Sequence, residues 1–578
     1  LFVSVASLAP RATVFALSPL AHNTSDLKCN ISVQIESGWV CGLVREAELG
    51  VKYASFRGIP YAQQPLGELR FKELQPVKPW HHHLDATEEA PICPQIDRLY
   101  HRLTNPIRGM SESCIYANVH VPVAALPQLD GPDEKSYKGY LNQTHGKGYP
   151  IFVFIHGGGF TSGSGDTDLH GPEYLVSKGF IVITFNYRLN VFGFLSLNTP
   201  KIPGNAGLRD QVTLLRWVQR NARTFGGDPH EVTLAGQSAG AASAHLLALS
   251  KETKGLFKRV ILMSGTGITA FYSASPVLAS LMAANYIKTL GINSTDPDII
   301  HNELVKMPIE KILNAYDVFE YESGLVSFSP VIETEYPGVT RVVDDDPVRL
   351  ILNGRDKQYP MIVGFTNNEC QFFRRLLIYL QQLRRIKENP SSILAAGIIT
   401  SAPPNVSLNL AKLVIEKYFH KKLNYDEYMI NCRDTLFKYP AFQLVRWRAS
   451  MNTAPSYLYQ FTYDADYSVL KDALNVQFEG VAHVEDLNYI FRENAILGDK
   501  RSFPPYNRDD KMRDWMTAFI VNFMRCDEPS CGAGWPPVDE HLANYQLLNK
   551  PYVYQPTSPT HQEWKMIQFH DKINQIGR

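Results

Sequence analysis

The stretch TLAGQSAGAASAHLL, residues 233–247, places Ser238 between two glycines, in the pattern Gly-x-Ser-x-Gly of a nucleophile elbow. Small residues on both sides of Ser238 permit a tight turn, in which a larger side chain would clash with neighbouring backbone. Residues 231–235 before it form a strand candidate, and residues 239–249 after it are rich in helix formers. The stretch therefore predicts a strand, a sharp turn and a helix, with the Ser238 hydroxyl presented as a nucleophile.

A second glycine-rich stretch, FIHGGGF at residues 154–160, follows another strand candidate. Three consecutive glycines have no side chains to cover their N–H groups, which suits the oxyanion loop of lipases and esterases. In enzymes with such an elbow, an acid and then a histidine follow the serine along the chain. Glu369 comes directly after the strand candidate 361–365, and His483 lies in the loop EGVAHVEDLNYIF. Glu369 and His483 are therefore the candidates for the acid and the base.

Short β-branched or aromatic runs recur between longer mixed segments, as expected for a parallel sheet covered by helices on both faces. The predicted fold class is α/β, and residues 22–578 are predicted to form one domain. Two stretches, 121–150 and 376–405, mix proline with charged or small polar residues and are predicted to be surface excursions. The strand candidates are 151–155, 180–185, 231–235, 259–263, 361–365 and 457–463, and a helix candidate covers 208–225.

The charges of the 578-residue chain balance, with 57 Lys and Arg against 57 Asp and Glu. No net field therefore draws the protein to nucleic acid, to a membrane surface or to a charged substrate. After the N-terminal segment no stretch approaches 18 uninterrupted apolar residues, so we predict no membrane span. The expected partner is a small molecule, and the expected oligomeric state is a monomer.

Cysteines and glycosylation sequons together indicate an oxidising, secretory route and an extracellular location. Residues 1–21 are apolar and rich in small residues, which fits either a shortened signal peptide or an ordinary N-terminal extension. Two cysteine pairs are spaced as closed loops, Cys93 with Cys114 and Cys526 with Cys531. The pairing of the other four stays open: Cys29, Cys41, Cys370 and Cys432. The five sequons begin at Asn23, Asn30, Asn142, Asn293 and Asn405.

From about Val33 to Cys531 the chain resembles the type-B carboxylesterase and cholinesterase family of α/β-hydrolases. The resemblance is carried by FRGIPYA, ESCIYANVHVP, IHGGGF, FNYRLNVFGFLS, GNAGLRDQ, NARTFGGDPHEVTLAGQSAGA and LMSGT. It implies an α/β-hydrolase fold and a serine esterase that uses neither a metal nor an organic cofactor. The residues that match the family's site are Ser238 as nucleophile, Glu369 as acid, His483 as base, and the N–H groups of Gly158, Gly159 and Ala239 as oxyanion donors.

Two departures from the cholinesterase pattern bear on the substrate. The loop between Cys93 and Cys114 has no tryptophan, whose ring face holds the choline cation in cholinesterases. Gln237 stands before the nucleophile, where the family usually has a glutamate. Both changes remove features that attract a quaternary ammonium group, so a choline ester is a poor candidate.

Within the family the chain is most similar to the juvenile hormone esterases of moths and butterflies, on GQSAG, HGPEYLVSKG and GVAHVEDLNYIFR. This resemblance implies a long apolar terpenoid substrate with a conjugated methyl ester, which is converted to an acid and methanol. Two alternatives stay open. One is a broad-specificity insect carboxylesterase for xenobiotic or odorant esters, and the other is a non-catalytic adhesion protein, which the complete set of candidate residues disfavours.

Overall fold

The computed structural model describes residues 29–47, 50–100, 108–126, 148–269, 274–324, 328–451, 453–465, 468–497, 508–532 and 534–577. The predicted signal segment, residues 1–21, and the sequons at Asn23 and Asn142 lie outside these residues.

A mostly parallel sheet forms the centre of the described chain. Its strands have these bounds: β1 Ile31–Ile35, β2 Gly38–Glu46, β3 Lys52–Pro60, β4 Leu84–Asp85, β5 Tyr116–Pro122, β6 Tyr149–Ile155, β7 Ile181–Phe185, β8 Gly227–Gln237, β9 Arg259–Met263, β10 Met361–Thr366, β11 Ser456–Phe461, β12 Tyr545–Leu548 and β13 Pro556–Thr557. Their order in the sheet is β1-β2-β3-β5-β7-β6-β8-β9-β10-β11-β12-β13, and β4 pairs with β2. Every neighbouring pair from β7 to β12 is parallel, and antiparallel strands complete both sides of the sheet.

Helices connect and cover these strands, as the α/β prediction requires. Their bounds are α1 Glu173–Val176, α2 Asn190–Phe194, α3 Ala206–Asn221, α4 Ala239–Leu249, α5 Pro276–Thr289, α6 Pro297–Lys306, α7 Ile309–Ser323, α8 Pro347–Leu352, α9 Arg374–Tyr379, α10 Gln382–Glu388, α11 Ala396–Ser401, α12 Pro404–Tyr418, α13 Tyr425–Arg433, α14 Tyr439–Ser450, α15 Val469–Leu474, α16 Asn494–Leu497, α17 Arg508–Cys526 and α18 His561–Gly577. A π-helical segment, Asp434–Lys438, joins α13 to α14.

Alternate side chains of a central strand enter two different hydrophobic clusters. In β6, Ile151 and Val153 belong to one cluster, whereas Phe152 and Phe154 belong to another. All four side chains are buried. Because successive residues of a strand point to opposite faces, both faces of the sheet are covered, and β6 is apolar throughout instead of alternating.

Residues 376–405, which were predicted to be a surface excursion, are helical for much of their length. The segment contains most of α9 and all of α10 and α11. Leu377, Leu380 and Ile386 are buried at about 1% exposure or less. Basic and polar residues between these apolar positions make the helical period hard to recognise in the sequence. The helices are stabilised by packing of their apolar side.

Four disulfides connect the eight cysteines. The two predicted loops are closed by Cys93–Cys114 and Cys526–Cys531. The pairs that the spacing left open are Cys29–Cys41 and Cys370–Cys432. The described sequon asparagines all have exposed side chains: Asn30, Asn293 and Asn405.

Candidate active site

Ser238 lies at a sharp turn between β8 and α4. Its backbone adopts φ 59° and ψ −123°, a strained conformation for a residue other than glycine. A Cβ added to Gly236 would lie 2.2 Å from the carbonyl oxygen of Gly240, and one added to Gly240 would lie 2.0 Å from that of Ile155. Both contacts are impossible, so the elbow requires glycine at these two positions.

The glycine loop after β6 lies against the elbow. A Cβ on Gly157 would come within 3.0 Å of the Ser238 Cβ, and Gly158 has φ 110°, which strongly favours glycine. The predicted oxyanion donors are the N–H groups of Gly158, Gly159 and Ala239. Among the described residues, none of the three donates a hydrogen bond to another protein group. Ala239 begins α4, so the helix dipole also favours negative charge near its N–H.

Glu369 and His483 form a buried hydrogen-bonded pair. Oε2 of Glu369 lies 2.6 Å from Nδ1 of His483, and its Oε1 accepts the N–H of Thr366 at 2.7 Å. The two residues are 0% and 1% exposed. With Nδ1–H donated to the carboxylate, the Nε2 lone pair of the neutral imidazole is left to act as a base.

Gln237 contacts His483 directly, a contact that reasoning from sequence did not anticipate. Its amide Nε2 lies 3.0 Å from Nε2 of His483, and both side chains are buried. Nε2 of the neutral imidazole has one lone pair, so this amide N–H and the Ser238 hydroxyl compete for it. Gln237 therefore acts on His483 as well as setting the charge beside Ser238.

An apolar pocket adjoins the pair. Phe373 and Phe437 line it, and the centroid of each ring lies 4.9 Å from that of His483. Gly159 of the glycine loop lines the same pocket. Its other apolar lining comes largely from the Cys93–Cys114 loop, at Ile96 and Leu99, and from α9 and the residue after it, at Leu376, Leu377 and Leu380.

Several aromatic residues are candidates for the pocket from their positions in the sequence, with ordinary core packing an equal alternative for each: Phe160, Phe271, Tyr272, Phe328 and Phe373. Phe373 lines the pocket, whereas Phe160 packs on Phe194 and Phe328 packs in a buried cluster with Phe319. Phe271 and Tyr272 lie outside the described residues. Phe437, which sequence reasoning missed, lies in the π-helical segment.

The described residues contain no group of three or more His, Cys, Asp and Glu side chains arranged to hold a metal ion. His81, His82 and His83, the densest histidine run in the chain, are exposed. Nor does any helix in the described part of the chain have both the length and the apolar character that a membrane crossing needs.

A serine at a strand-to-helix elbow, a glycine loop and a Glu–His pair on a mostly parallel sheet are typical of the α/β-hydrolases. Comparison with known proteins agrees. The model of the Carboxylesterase family matches residues 30–566, and the chain belongs to this family. It is thus a carboxylic ester hydrolase, and the predicted fold class and family are both confirmed.

Individual proteins of the family show a more specific similarity. Juvenile hormone esterase of Heliothis virescens is 46% identical over 571 residues, which are 97% of this chain and 98% of that protein. Juvenile hormone esterase of Tribolium castaneum is 32% identical, over 85% of this chain and 82% of that protein. The crystal structure of juvenile hormone esterase from Manduca sexta, with OTFP covalently attached, has a TM-score of 0.89 at 50% identity and covers 94% of this chain and 99% of that one.

Proposed function

We propose that this protein is a secreted serine esterase that hydrolyses the methyl ester of juvenile hormone to the hormone acid and methanol. The observation that carries the proposal is the apolar pocket beside His483, which suits a long apolar acyl chain. The names of the Heliothis, Tribolium and Manduca relatives support the same substrate. Gln237, which is neutral, supports an uncharged ester over a cationic one.

In the first half of the proposed reaction, Ser238 Oγ attacks the ester carbonyl while His483 Nε2 takes its proton. The Glu369 carboxylate, 2.6 Å from Nδ1, holds the ring and stabilises the imidazolium that forms. The carbonyl oxygen becomes an oxyanion, which the N–H groups of Gly158, Gly159 and Ala239 stabilise. The C–O bond to the alcohol then breaks, and methanol leaves with the proton from His483.

In the second half, water attacks the acyl-enzyme and gives a proton to His483 Nε2. The bond between the acyl carbon and Ser238 Oγ breaks, Oγ regains the proton, and the acid leaves. No step requires a metal or an organic cofactor. Because conjugation makes the ester carbonyl less electrophilic, oxyanion stabilisation should contribute strongly to the rate, where removal of one such donor costs roughly 10²–10³-fold.

The remaining expectations belong to the same proposal. Four disulfides and three exposed sequon asparagines favour extracellular residence. One chain carries all the proposed catalytic groups, so a monomer of one domain, residues 22–578, should be active. A small apolar ester is the expected partner.

The first test replaces the nucleophile. Ser238→Ala should lower kcat on juvenile hormone by roughly 10⁴-fold or more while the circular dichroism spectrum stays unchanged. Ser243→Ala is the matched control, because Ser243 is also buried, one turn further along α4, and bonds Gln211 at 3.1 Å. Hydrolysis by Ser238→Ala near the wild-type rate would rule out this nucleophile.

The second test concerns the substrate. We expect kcat/KM for juvenile hormone to exceed that for a short nitrophenyl ester by about tenfold or more, because only the hormone fills the apolar pocket. Both esters are compared at concentrations far below KM. A preference for the short ester would instead indicate a broad-specificity carboxylesterase.

A further inference from the structure

A second pocket shares one wall, the π-helical segment Asp434–Lys438, with the apolar pocket. Thr435 of this segment lines the second pocket, whereas Leu436 and Phe437 line the apolar pocket. No residue of the proposed triad lines the second pocket, so it is not part of the proposed active site. We call it the C-terminal pocket, because His570 of α18 forms part of its wall.

Aliphatic side chains form one part of the wall of the C-terminal pocket. They come from α11, α12 and α18, from the segment before α11, and from the loop after β9. Two lining residues, Ile268 and Asn574, are partly exposed, so the pocket opens to the surface and a ligand can enter it. Such a wall binds the hydrocarbon part of a small molecule. The aliphatic lining residues are Ile268, Ile393, Leu394, Ile398, Val414 and Ile573.

His570 presents a hydrogen-bond acceptor to this pocket. The residue is 3% exposed, and burial lowers its pKa to about 4, so the ring is neutral at neutral pH. The Tyr418 hydroxyl donates its one proton to Oδ2 of Asp434 at 3.3 Å, so its oxygen accepts Nε2–H of His570 at 2.8 Å. Nδ1 of His570 therefore carries the lone pair of the ring, and it has no hydrogen-bond partner among the described residues.

Gln443, in α14, presents a second acceptor to the same pocket. Its amide nitrogen donates to the Tyr439 hydroxyl at 2.6 Å, whereas its carbonyl oxygen, Oε1, has no partner in the described part of the chain. The residue is 8% exposed. Two buried acceptors without a donor cost free energy unless a bound molecule donates hydrogen bonds to them.

These acceptors restrict the charge of the bound molecule. An anion has no proton to donate to Nδ1 of His570 or Oε1 of Gln443. A cation is unsuited as well, because the lowered pKa of His570 shows that burial disfavours positive charge at this place. A neutral hydroxyl group donates one hydrogen bond, and an attached hydrocarbon chain covers the aliphatic wall.

We propose that the C-terminal pocket binds a neutral aliphatic alcohol. The hydroxyl group donates to His570 or Gln443, and the chain packs on aliphatic residues such as Ile398 and Val414. This site goes beyond the proposed function, because it needs neither the ester nor any group of the proposed triad.

The test uses 3-azioctanol, a diazirine analogue of 1-octanol that inserts into neighbouring side chains when it is illuminated. The full chain is labelled and digested, and the modified residues are identified by mass spectrometry. We expect saturable labelling of residues in α14 or α18. Octanoate has the same chain length but is an anion, so 1-octanol should displace the label at a concentration at least about tenfold lower than octanoate does.

Gln443→Met and His570→Phe each remove one of the two acceptors. Each should reduce labelling at a subsaturating probe concentration about fivefold, which is the usual contribution of one hydrogen bond. Gln211→Met is the matched control and should be labelled like wild type, because Gln211 is also buried but bonds Ser243 and does not line the pocket.

The comparison of 1-octanol with octanoate needs no variant, so the proposal stays testable if a substituted chain does not fold. Labelling confined to the apolar pocket, equal displacement by 1-octanol and octanoate, or unchanged labelling in both acceptor variants would overturn the proposal.

Discussion

At the scale of single residues, Gln237 distinguishes this site from others that share its proposed triad. The triad pattern alone is common to many esterases and does not select a substrate. Gln237 replaces a negative charge beside Ser238 with an amide, and that amide donates to His483 Nε2 at 3.0 Å. A carboxylate there could not donate a hydrogen bond and would favour the imidazolium instead.

We therefore predict that Gln237→Glu moves the acid limb of the kcat/KM profile to higher pH. At the acid end of the range the rate on a neutral ester should fall by about tenfold for each pH unit by which the limb moves, with a smaller fall at pH 7. The rate on a choline ester of the same acid should fall less, because the new carboxylate attracts the cation. The measurement is kcat/KM for both esters between pH 5 and 9.

Gln237→Met is the control for this change, because it has a similar volume but no charge and no amide. It should lower both rates to the same extent and leave their ratio unchanged. Equal effects of Gln237→Glu on the neutral and the cationic ester would contradict the proposed role of the charge at this position.

Some residues of the site were predictable from sequence and others were not, for a physical reason. Ser238 and the glycine loop lie in short contiguous patterns whose backbone demands are local. The contact between Gln237 and His483 joins residues 246 positions apart, so the path of the whole chain determines it. The unpartnered nitrogen of His170 is visible only once its surroundings are known.

At the scale of elements, the central strands were predictable and the elements around the apolar pocket were not. The strand 259–263 was predicted with the bounds of β9, and residues 239–249 with those of α4. Such strands are buried on both faces, and such helices are rich in helix-forming residues, so the local composition is enough to predict these elements. Phe437 instead depends on the π-helical segment Asp434–Lys438. Pro440 lies just after it and cannot donate to the carbonyl four residues earlier, which widens the helix at that point.

We predict that Phe437→Ala impairs binding of long esters more than turnover. The Phe437 ring stacks on Phe373 with an angle of 5° between planes, and both rings flank His483. Its removal exposes the acyl chain to water, so KM for an ester of a long-chain acid should rise about tenfold. KM for an acetate ester, which does not reach the ring, should change by less than about twofold. A fall in kcat equal for both esters, without the KM difference, would argue against this role.

The Cys370–Cys432 disulfide joins the segment of the proposed acid to the end of α13. Cys370 directly follows Glu369, and the bridge spans 62 residues of sequence. Because loop-closure entropy grows with the logarithm of loop length, the double variant Cys370→Ala/Cys432→Ala should lose about 4 kcal/mol of unfolding free energy. Turnover should also fall, because the segment that carries Glu369 is held less firmly.

Cys526–Cys531 provides the matched control for this bridge, because it closes only 5 residues and lies away from the proposed triad. Its removal should cost about 2 kcal/mol and leave kcat unchanged. Denaturant unfolding and kcat are measured for both double variants. Equal losses of stability, or loss of kcat in the control, would contradict the distinction between the two bridges.

At the scale of the whole molecule, buried ionisable groups make stability depend on pH in opposite directions. Burial lowers the pKa of His156 and His170. Below about pH 6.5 these histidines therefore take up protons in the unfolded chain but not in the folded chain. Acid consequently lowers the free energy of unfolding. Glu493 acts in the other direction. Burial, with repulsion from Glu485, raises the pKa of Glu493 to about 8. One of its oxygens has no partner among the described residues.

Glu493 should therefore set the alkaline limit of stability. Its ordinary pKa is 4.5, so the unfolded chain loses this proton well before the folded chain does. The stabilisation is complete below pH 4.5 and is lost as pH rises through 8, at about 1.4 kcal/mol per pH unit.

Glu493→Gln keeps the shape of the neutral acid without an ionisable proton. Its unfolding free energy relative to wild type should rise by about 2–3 kcal/mol between pH 6 and pH 9, as followed by urea unfolding at each pH. Glu416→Gln, on the exposed face of α12, is the surface control. A constant difference between Glu493→Gln and wild type across this range would show that Glu493 does not hold its proton in the folded state.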